Sequence, residues 1–453
     1  MVKTKLSIIL LSREYIRSWI DSGLVKSLLE SGHFEINIYV NQDLAGVLDR
    51  HQEYKVVVLD QTDSTQSAKI LNDLSWAIGR TRSLTFQFTF ERIFFTDNRI
   101  YPIELGIRKS TVWLLRNLRT AIRNIKSKRR TLGYSILPRC LTSRIKSNAL
   151  AQVGKIPIEI KEFNPDWLII VCNTINPTVV DYLAETRKIG IKTIVAIDNW
   201  DNLTSKSVFA LTPNYLTVMG KQCVNHAISI HGINSNSVLP FGLPRFDIYR
   251  SLKKDGGPAK NLTPKRVLYA GFSLAHSEKR VVDALADYLD IKYGPGVVEV
   301  HYRPHPGPNP RIDDYEIKNS HVEVTEYRDL SRTGVPQMND EFINALSKAS
   351  VVVGAPTTLM LEAILIGRPC VIDITSDKFH RTTAGNAARR YTHMKDLLAV
   401  GELAHGKTIE QLIMNVDKIL ETDVERIDYK VEHLYDITAA SYAEQLTSFL
   451  LAH

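Results

Sequence analysis

Short apolar runs alternate along the chain with segments whose apolar residues recur at helical spacing. In the first half the runs predict strands at KLSIILL (5–11), FEINIYV (34–40), YKVVVLD (54–60), DWLIIVC (166–172), KTIVAI (192–197), YLTVM (215–219) and NSVLPF (236–241). Helical patterns fill most of the gaps, as in SWIDSGLVKSLLESG after the first run and NPTVVDYLAETRKIG after the fourth. Alternation of this kind builds parallel sheets. It lapses around 65–160, where a long, basic, mainly helical insertion is expected.

The stretch SLKKDGGPAKNLTPK (251–265) is rich in Lys, Gly and Pro and has no apolar period, so 246–265 is expected to be a linker. The alternation then restarts with RVLYAGF (266–272), VVEVHYR (297–303), HVEVTEY (321–327), SVVVG (350–354) and PCVIDI (369–374), and long helices close the chain. The expected fold is α/β: two Rossmann-like lobes, 1–245 and 266–453, with a cleft where the carboxyl ends of the two sheets meet.

Composition agrees with a soluble globular chain: of 453 residues, 44% are hydrophobic and 23% charged, and no low-complexity tract interrupts them. The apolar run between Lys5 and Arg13 is too short for a signal segment, and no stretch is long enough to span a bilayer. Cys140, Cys172, Cys223 and Cys370 are widely spaced, without the spacing of a zinc site, which suits reduced thiols in a cytoplasmic protein. The net charge of +8 is concentrated: twelve basic residues lie between Arg108 and Lys146, and no Asp or Glu falls between Glu104 and Glu159. Within this stretch Val112, Trp113, Leu115, Leu118, Ala121, Ile122 and Ile125 recur at helical spacing, with arginines around them. That pattern fits either a solvated helix packed by its stripe or a helix on an anionic membrane surface. Nucleic acid is not expected, because no zinc finger, RNP motif or glycine-aromatic pattern accompanies the charge.

The sharpest chemistry lies at predicted strand ends in the second lobe. VEVHYRPHPGPNP sets Arg303 and His305 just past a strand, in a loop stiffened by Pro304, Pro306, Pro308 and Pro310. A guanidinium and an imidazole on a rigid loop suit a phosphate. In ASVVVGAPTTLMLEAILIG a strand turns into a helix that starts near Thr357 and Thr358, a phosphate seat of free amides and hydroxyls. Glu362, four residues on, is expected to accept ribose hydroxyls. GFSLAHSEK adds Gly271 for close backbone approach, with Ser273 and His276 as polar candidates.

Together these segments resemble the two-lobed GT-B glycosyltransferases. The resemblance is nearest to the bacterial group with a His-Pro motif and a Ser/Thr pair, which includes sialyl-, polysialyl- and Kdo-transferases and the CDP-glycerol polymerases. GLPRFD (242–247) is similar to the segment that precedes the second lobe in the last of these. The resemblance implies a donor phosphate held by His305 with Pro306 and by Thr357 and Thr358. It departs at Asn199-Trp200-Asp201-Asn202, where the CDP-glycerol polymerases have Trp-His-Gly, and at Ala355-Pro356-Thr357-Thr358, where they have Asp-Tyr-Ser-Ser. Polyol-phosphate transfer is thereby the lesser alternative. Gly354 stands eight residues before Glu362, so the glutamate pair of many retaining GT-B enzymes is missing.

A donor in the second lobe leaves the acceptor to the first, where DNWDN (198–202) follows a predicted strand. Inverting transfer needs a base for the acceptor hydroxyl. Asp201 is the first candidate and Asp198 the second, with a cap of an Asx-rich turn as the structural alternative. Asn199, Asn202 and Thr204 would bind sugar hydroxyls, Trp200 would stack on a sugar face, and Lys206 would meet a phosphate. Glu14 is a separate candidate base, beside Ser12 and Arg13 in the first loop, an arrangement that resembles GT-B enzymes using CMP-activated ketoses. No metal site is expected, since the carboxylates of DNWDN are three apart rather than in a DxD pair, and no cofactor beyond a nucleotide-sugar co-substrate, with CMP favoured over UDP or GDP. The expected activity is glycosyl transfer to a glycan or lipid-linked glycan in bacterial surface polysaccharide or lipopolysaccharide assembly, at the inner face of the membrane. The alternatives are CDP-polyol phosphotransfer, 2-epimerisation of a nucleotide sugar, and a non-catalytic binding subunit.

Overall fold

The computed structural model describes every residue except 1, 49–53, 60–63, 80, 88–118, 120–121, 123–132, 135, 175, 255–262, 273–276, 306–314, 326–336, 377–382 and 423. Most of the apolar stripe expected at 112–125 and most of the basic stretch 108–146 therefore lie outside the described residues. Within that stretch, Arg119, Ile122, Arg144 and Lys146 are helical, the first three exposed and Lys146 partly exposed.

The described residues form two parallel sheets in two compact units. In the first sheet the strands are β1 (Thr4–Leu10), β2 (Phe34–Asn41), β3 (Lys55–Leu59), β4 (Trp167–Cys172), β5 (Lys192–Ile197), β6 (Tyr215–Thr217) and β7 (Val238–Leu239). Their order is β3-β2-β1-β4-β5-β6-β7. Central strands read as unbroken apolar runs because helices cover both faces: Leu6, Ile8, Ile169 and Ile194 are fully buried. Leu6 pairs with Ile36 on one side and Trp167 on the other, so the order reverses between β1 and β4.

The second sheet comprises β8 (Lys265–Ala270), β9 (Val298–Arg303), β10 (Val322–Val324), β11 (Val351–Gly354), β12 (Cys370–Asp373) and β13 (Ala404–Gly406). Its order, β10-β9-β8-β11-β12-β13, puts the reversal between β8 and β11. The strand β13 went unpredicted, because three residues of Ala-His-Gly carry no apolar signal.

Three elements differ from the sequence reading. The helix expected over 18–32 is two pieces, a π-helical turn Arg17–Asp21 and a helix Leu24–Glu30, separated where Gly23 takes φ +81°. The expected linker opens with a helix, Asp247–Lys254. The final helix, Tyr442–Ala452, belongs to the first unit, although the sequence division assigned it to the second lobe. Its Tyr442, Leu446 and Leu450 enter the core around Trp19 and Trp167, the Tyr442 ring lying edge-on to Trp19 at 5.8 Å. An apolar stripe states that a helix is covered, not which sheet covers it.

In the insertion, the helices Gln66–Gly79 and Arg139–Gln152 pack against the helix Pro177–Ile189 through Ala68, Leu71, Ala149, Val180 and Ala184. Cys172, Cys223 and Cys370 are buried free thiols, and Cys140 is an exposed one.

Candidate functional site

In open parallel sheets, ligands bind beyond the carboxyl ends of the strands, at the point where strand order reverses. Each unit places polar residues there.

In the first unit, β1 runs into Ser12, whose hydroxyl caps the short helix Arg13–Ile16 by accepting from the Tyr15 amide at 3.3 Å. Arg13 and Glu14 are exposed beside it. At the end of β4, Thr174 holds φ +75°, a left-handed conformation that strains a β-branched residue. Ser207 holds it there: its amide donates to the Thr174 hydroxyl (3.3 Å) and its hydroxyl to the Thr174 carbonyl (3.1 Å).

At the end of β5 the Asp198 side chain is only 13% exposed. Burial, reinforced by Glu14 and Asp201, pushes its carboxyl up to about 6, against the lowering effect of Arg245 and the Ser18 hydroxyl. The phenol of Tyr15 is driven well above its ordinary range, first by burial and then by Cys172, Asp198 and Glu14. Burial pushes the Cys172 thiol up to about 12, which keeps it protonated. Glu14, Tyr15, Cys172 and Asp198 thus share one neighbourhood drawn from three strand ends.

The two carboxylates of DNWDN differ. Asp201 accepts a hydrogen bond from the Ser205 hydroxyl at 2.6 Å, and its carbonyl accepts the Thr204 and Ser205 amides, so it builds a turn of helix. Trp200 is 2% and Asn202 4% exposed. This corrects the expectation that Trp200 stacks on a sugar and Asn202 binds one: β5 and the helix Asn202–Ser205 turn both inward, with the Cys223 thiol against the Trp200 carbonyl. Asn199 and Lys206 remain partly exposed, and Thr204 is buried. Arg245, from GLPRFD, donates to the Asp198 carbonyl at 2.6 Å, to Asp198 Oδ1 at 3.3 Å and to Asn199 Oδ1 at 3.4 Å.

In the second unit, β9 ends at Arg303, which is buried with its guanidinium 4.5 Å from the Phe342 ring centre. His305 is exposed, and desolvation, then Arg303, holds its imidazole below its ordinary value. The Gly271 amide donates to the Arg303 carbonyl at 2.8 Å. A Cβ at Gly271 would fall 2.5 Å from Glu278 Oε2 and 3.0 Å from the His305 amide nitrogen, so only glycine lets the ends of β8 and β9 approach this closely. After β11 the chain turns through Ala355 and Pro356 into the helix Thr358–Leu365, with Thr357 at its N-cap. The Thr357 hydroxyl oxygen is buried and has no hydrogen-bond partner among the described residues. Thr358 is partly exposed in the first turn. The structure therefore draws Gly271, Arg303, His305, Thr357 and Thr358 to one end of one sheet, while Ser273 and Pro306 lie outside the described residues.

Glu362 departs from expectation. It is 8% exposed, and its Oε2 accepts a hydrogen bond from the Tyr249 hydroxyl at 2.5 Å, so the face of the helix that carries it is turned into the unit. Glu278 was missed altogether. It is buried at the start of the helix Glu278–Tyr293 and accepts the Phe272 amide (2.7 Å) and the Tyr302 hydroxyl (2.9 Å). Its carboxylate thus ties the end of β8 to β9, whereas the helix after β11 carries the unpartnered Thr357 hydroxyl. Among the described residues no cluster of His, Cys, Asp and Glu could hold a metal ion, and no helix is long and apolar enough to cross a membrane.

Two parallel sheets of this order define the GT-B class of fold, and solved structures of that class are similar to this chain along its length. A putative UDP-N-acetylglucosamine 2-epimerase from Listeria monocytogenes matches with a TM-score of 0.56 at 14% identity, covering 100% of this chain and 97% of its own. The UDP-GlcNAc 2-epimerase of Neisseria meningitidis, bound to UDP-GlcNAc, matches at 0.53 and 13% identity, with 99% and 100% covered. That of Methanocaldococcus jannaschii, in complex with UDP-GlcNAc and UDP, matches at 0.51 and 14%, with 99% and 100% covered. No protein-family model and no curated protein sequence matches the chain.

Proposed function

We propose that this protein is a glycosyltransferase that takes a sugar from a nucleotide donor to a glycan or lipid-linked glycan acceptor. The observation that carries the reading is the end of the second sheet. There a buried, unpartnered Thr357 hydroxyl heads the helix Thr358–Leu365, and Arg303 and His305 leave the same sheet edge. Helix amides and a guanidinium are donors only, and a hydroxyl and an imidazole N–H can donate beside them, which suits a nucleotide phosphate on which charge grows as the sugar departs.

In the transfer, the acceptor oxygen forms the new bond to the anomeric carbon as the bond from that carbon to the donor phosphate oxygen breaks, and the electron pair leaves with the nucleotide. The acceptor proton goes to a carboxylate. Asp198 suits this role better than Asp201, because burial raises its pKa and Asp201 is engaged by Ser205. Glu14, exposed beside it, is the second carboxylate of the site. With donor groups of the protein meeting the leaving charge, the transfer runs without a metal and keeps its rate in EDTA. The basic stretch from Arg108 to Lys146 supports an acceptor at an anionic membrane surface, in surface polysaccharide or lipopolysaccharide assembly. The unpaired Thr357 also keeps open the finer likeness to the His-Pro transferases, and with it a CMP donor.

A second reading is 2-epimerisation of a UDP-sugar, favoured by what the similar solved structures are called. One experiment separates the two. Thermal shifts with CMP, CDP, UDP, GDP and dTDP first identify the nucleotide. A ligand at about 100 times its dissociation constant adds roughly 2.7 kcal/mol of stability, and His305→Ala is expected to remove the effect. The corresponding nucleotide sugar is then incubated with and without glycan acceptors. Nucleotide release that requires an acceptor supports transfer; a new sugar isomer without one supports epimerisation. Failure of every nucleotide to stabilise the protein would overturn both.

A further inference from the structure

We propose that Arg245 is a positioning residue, whose guanidinium fixes the loop after β5 so that Asp198 is held at the strand ends of the first sheet. Its role in catalysis rests on the reading of Asp198 as the base; its structural role does not.

The argument begins with how firmly the arginine is itself held. Gly242, at φ +96°, turns the chain after β7, and its amide donates to the Val218 carbonyl at 3.1 Å. Leu243 and Phe246 are fully buried, with Phe246 edge-on to Tyr435 at 5.3 Å. Asp247 Oδ2 accepts the Tyr442 amide at 2.9 Å, at the first residue of the C-terminal helix. Between these anchors the Arg245 guanidinium lies 5.3 Å from the Phe246 ring centre. One nitrogen reaches both the carbonyl and the carboxylate of Asp198, and the other reaches Asn199 Oδ1. Asn199 Oδ1 in turn accepts the Trp200 amide at 3.0 Å. A planar fork is needed to reach the backbone and side chain of one residue and the amide of the next, which an ammonium cannot do. Glu14, Tyr15 and Ser18 from the segment after β1, Cys172 from β4, Asp201 from the same loop and Tyr442 from the last helix also face Asp198, and among all of these Arg245 is the one cation.

The test compares wild type, Arg245→Ala and Arg245→Lys by two measurements that need no substrate. Hydrogen exchange read by mass spectrometry over 198–205 is expected to speed up about tenfold or more in both variants, since hydrogen bonds to a charged group are lost, and to stay unchanged in the second unit. Titration of carbon-13-labelled aspartate, with Asp198→Asn to identify the signal, is expected to shift the Asp198 midpoint up by about one unit or more in the Ala variant. The Lys variant, which keeps a charge without the fork, should return the midpoint toward wild type while exchange stays fast. If the Ala variant does not fold, the Lys variant carries the exchange test alone. Exchange that rises equally throughout the protein, or an Asp198 midpoint and loop exchange that stay put, would overturn the proposal. If the loop loosens as expected but Asp198→Asn turns over nucleotide sugar at the wild-type rate, the catalytic reading fails and the positioning role stands. If Asp198→Asn abolishes turnover while both Arg245 variants leave loop and titration unchanged, the reverse holds.

Discussion

A carboxyl group that is buried and still ionised at neutral pH is costly, and Asp198 is such a group. Its folded-state value of about 6 lies above the ordinary 3.8, so the folded chain binds this proton more tightly than the unfolded one. The stability that protonation contributes is fully present below about pH 3.8 and is lost as pH rises through about 6. At about 1.4 kcal/mol per unit, the loss is of the order of 3 kcal/mol at most. Asp198→Asn is therefore expected to melt several degrees above wild type at pH 8 and level with it near pH 4, while turnover collapses. A variant that melts below wild type at pH 8 would mean that the Arg245 pair outweighs burial. His305 titrates in the opposite sense. Desolvation, then Arg303, lowers it, so the neutral form is favoured at pH 7 and donates through an N–H. Nucleotide affinity should hold between pH 6.5 and 8; a steep fall with rising pH, followed by calorimetric titration, would instead require an imidazolium. Asp198 and His305 were both legible as candidates, because each is polar just past an apolar run. The preference for Asp198 over Asp201 in the proposed role was not: the Ser205 bond to Asp201 and the inward turn of Trp200 and Asn202 depend on how the loop folds back on the helix Asn202–Ser205.

Elements explain what the residues rest on. The ends of β8 and β9 meet at Gly271 without space for a side chain, so Gly271→Ala must displace the Glu278 carboxylate or the His305 backbone. It is expected to cost nucleotide binding tenfold or more in thermal-shift titration, about 1.4 kcal/mol, while the fold survives. The closing helix is the second case. Leu446 is fully buried against the first sheet, and Leu446→Ala is expected to cost about 2–5 kcal/mol of stability, read by denaturant unfolding. Strands β1, β2, β4 and β5 were legible almost to the residue because a buried parallel strand is an unbroken apolar run. The break at Gly23 and the short β13 were not, because one depends on a positive φ and the other on pairing with β12 alone.

At the scale of the whole molecule, charge is the property most visible before folding. The basic residues between Arg108 and Lys146 are expected to bind vesicles containing anionic lipid, weakly at high salt, and reversal of Arg119, Arg123 and Arg130 to Glu should abolish co-sedimentation. Unchanged sedimentation would leave that stretch a solvated surface. Composition and periodicity alone determined two parallel sheets, the helical character of the described part of the insertion, and the polar segments that follow the strands, because each of these is written in the local order of apolar and polar residues. Tertiary structure alone decided that Tyr442–Ala452 covers the first sheet, that Glu278 joins the Phe272 amide to the Tyr302 hydroxyl, and that Arg245 reaches back 47 residues to Asp198. Those outcomes join positions far apart in the chain, and a pairing between distant residues leaves no period in the sequence of either.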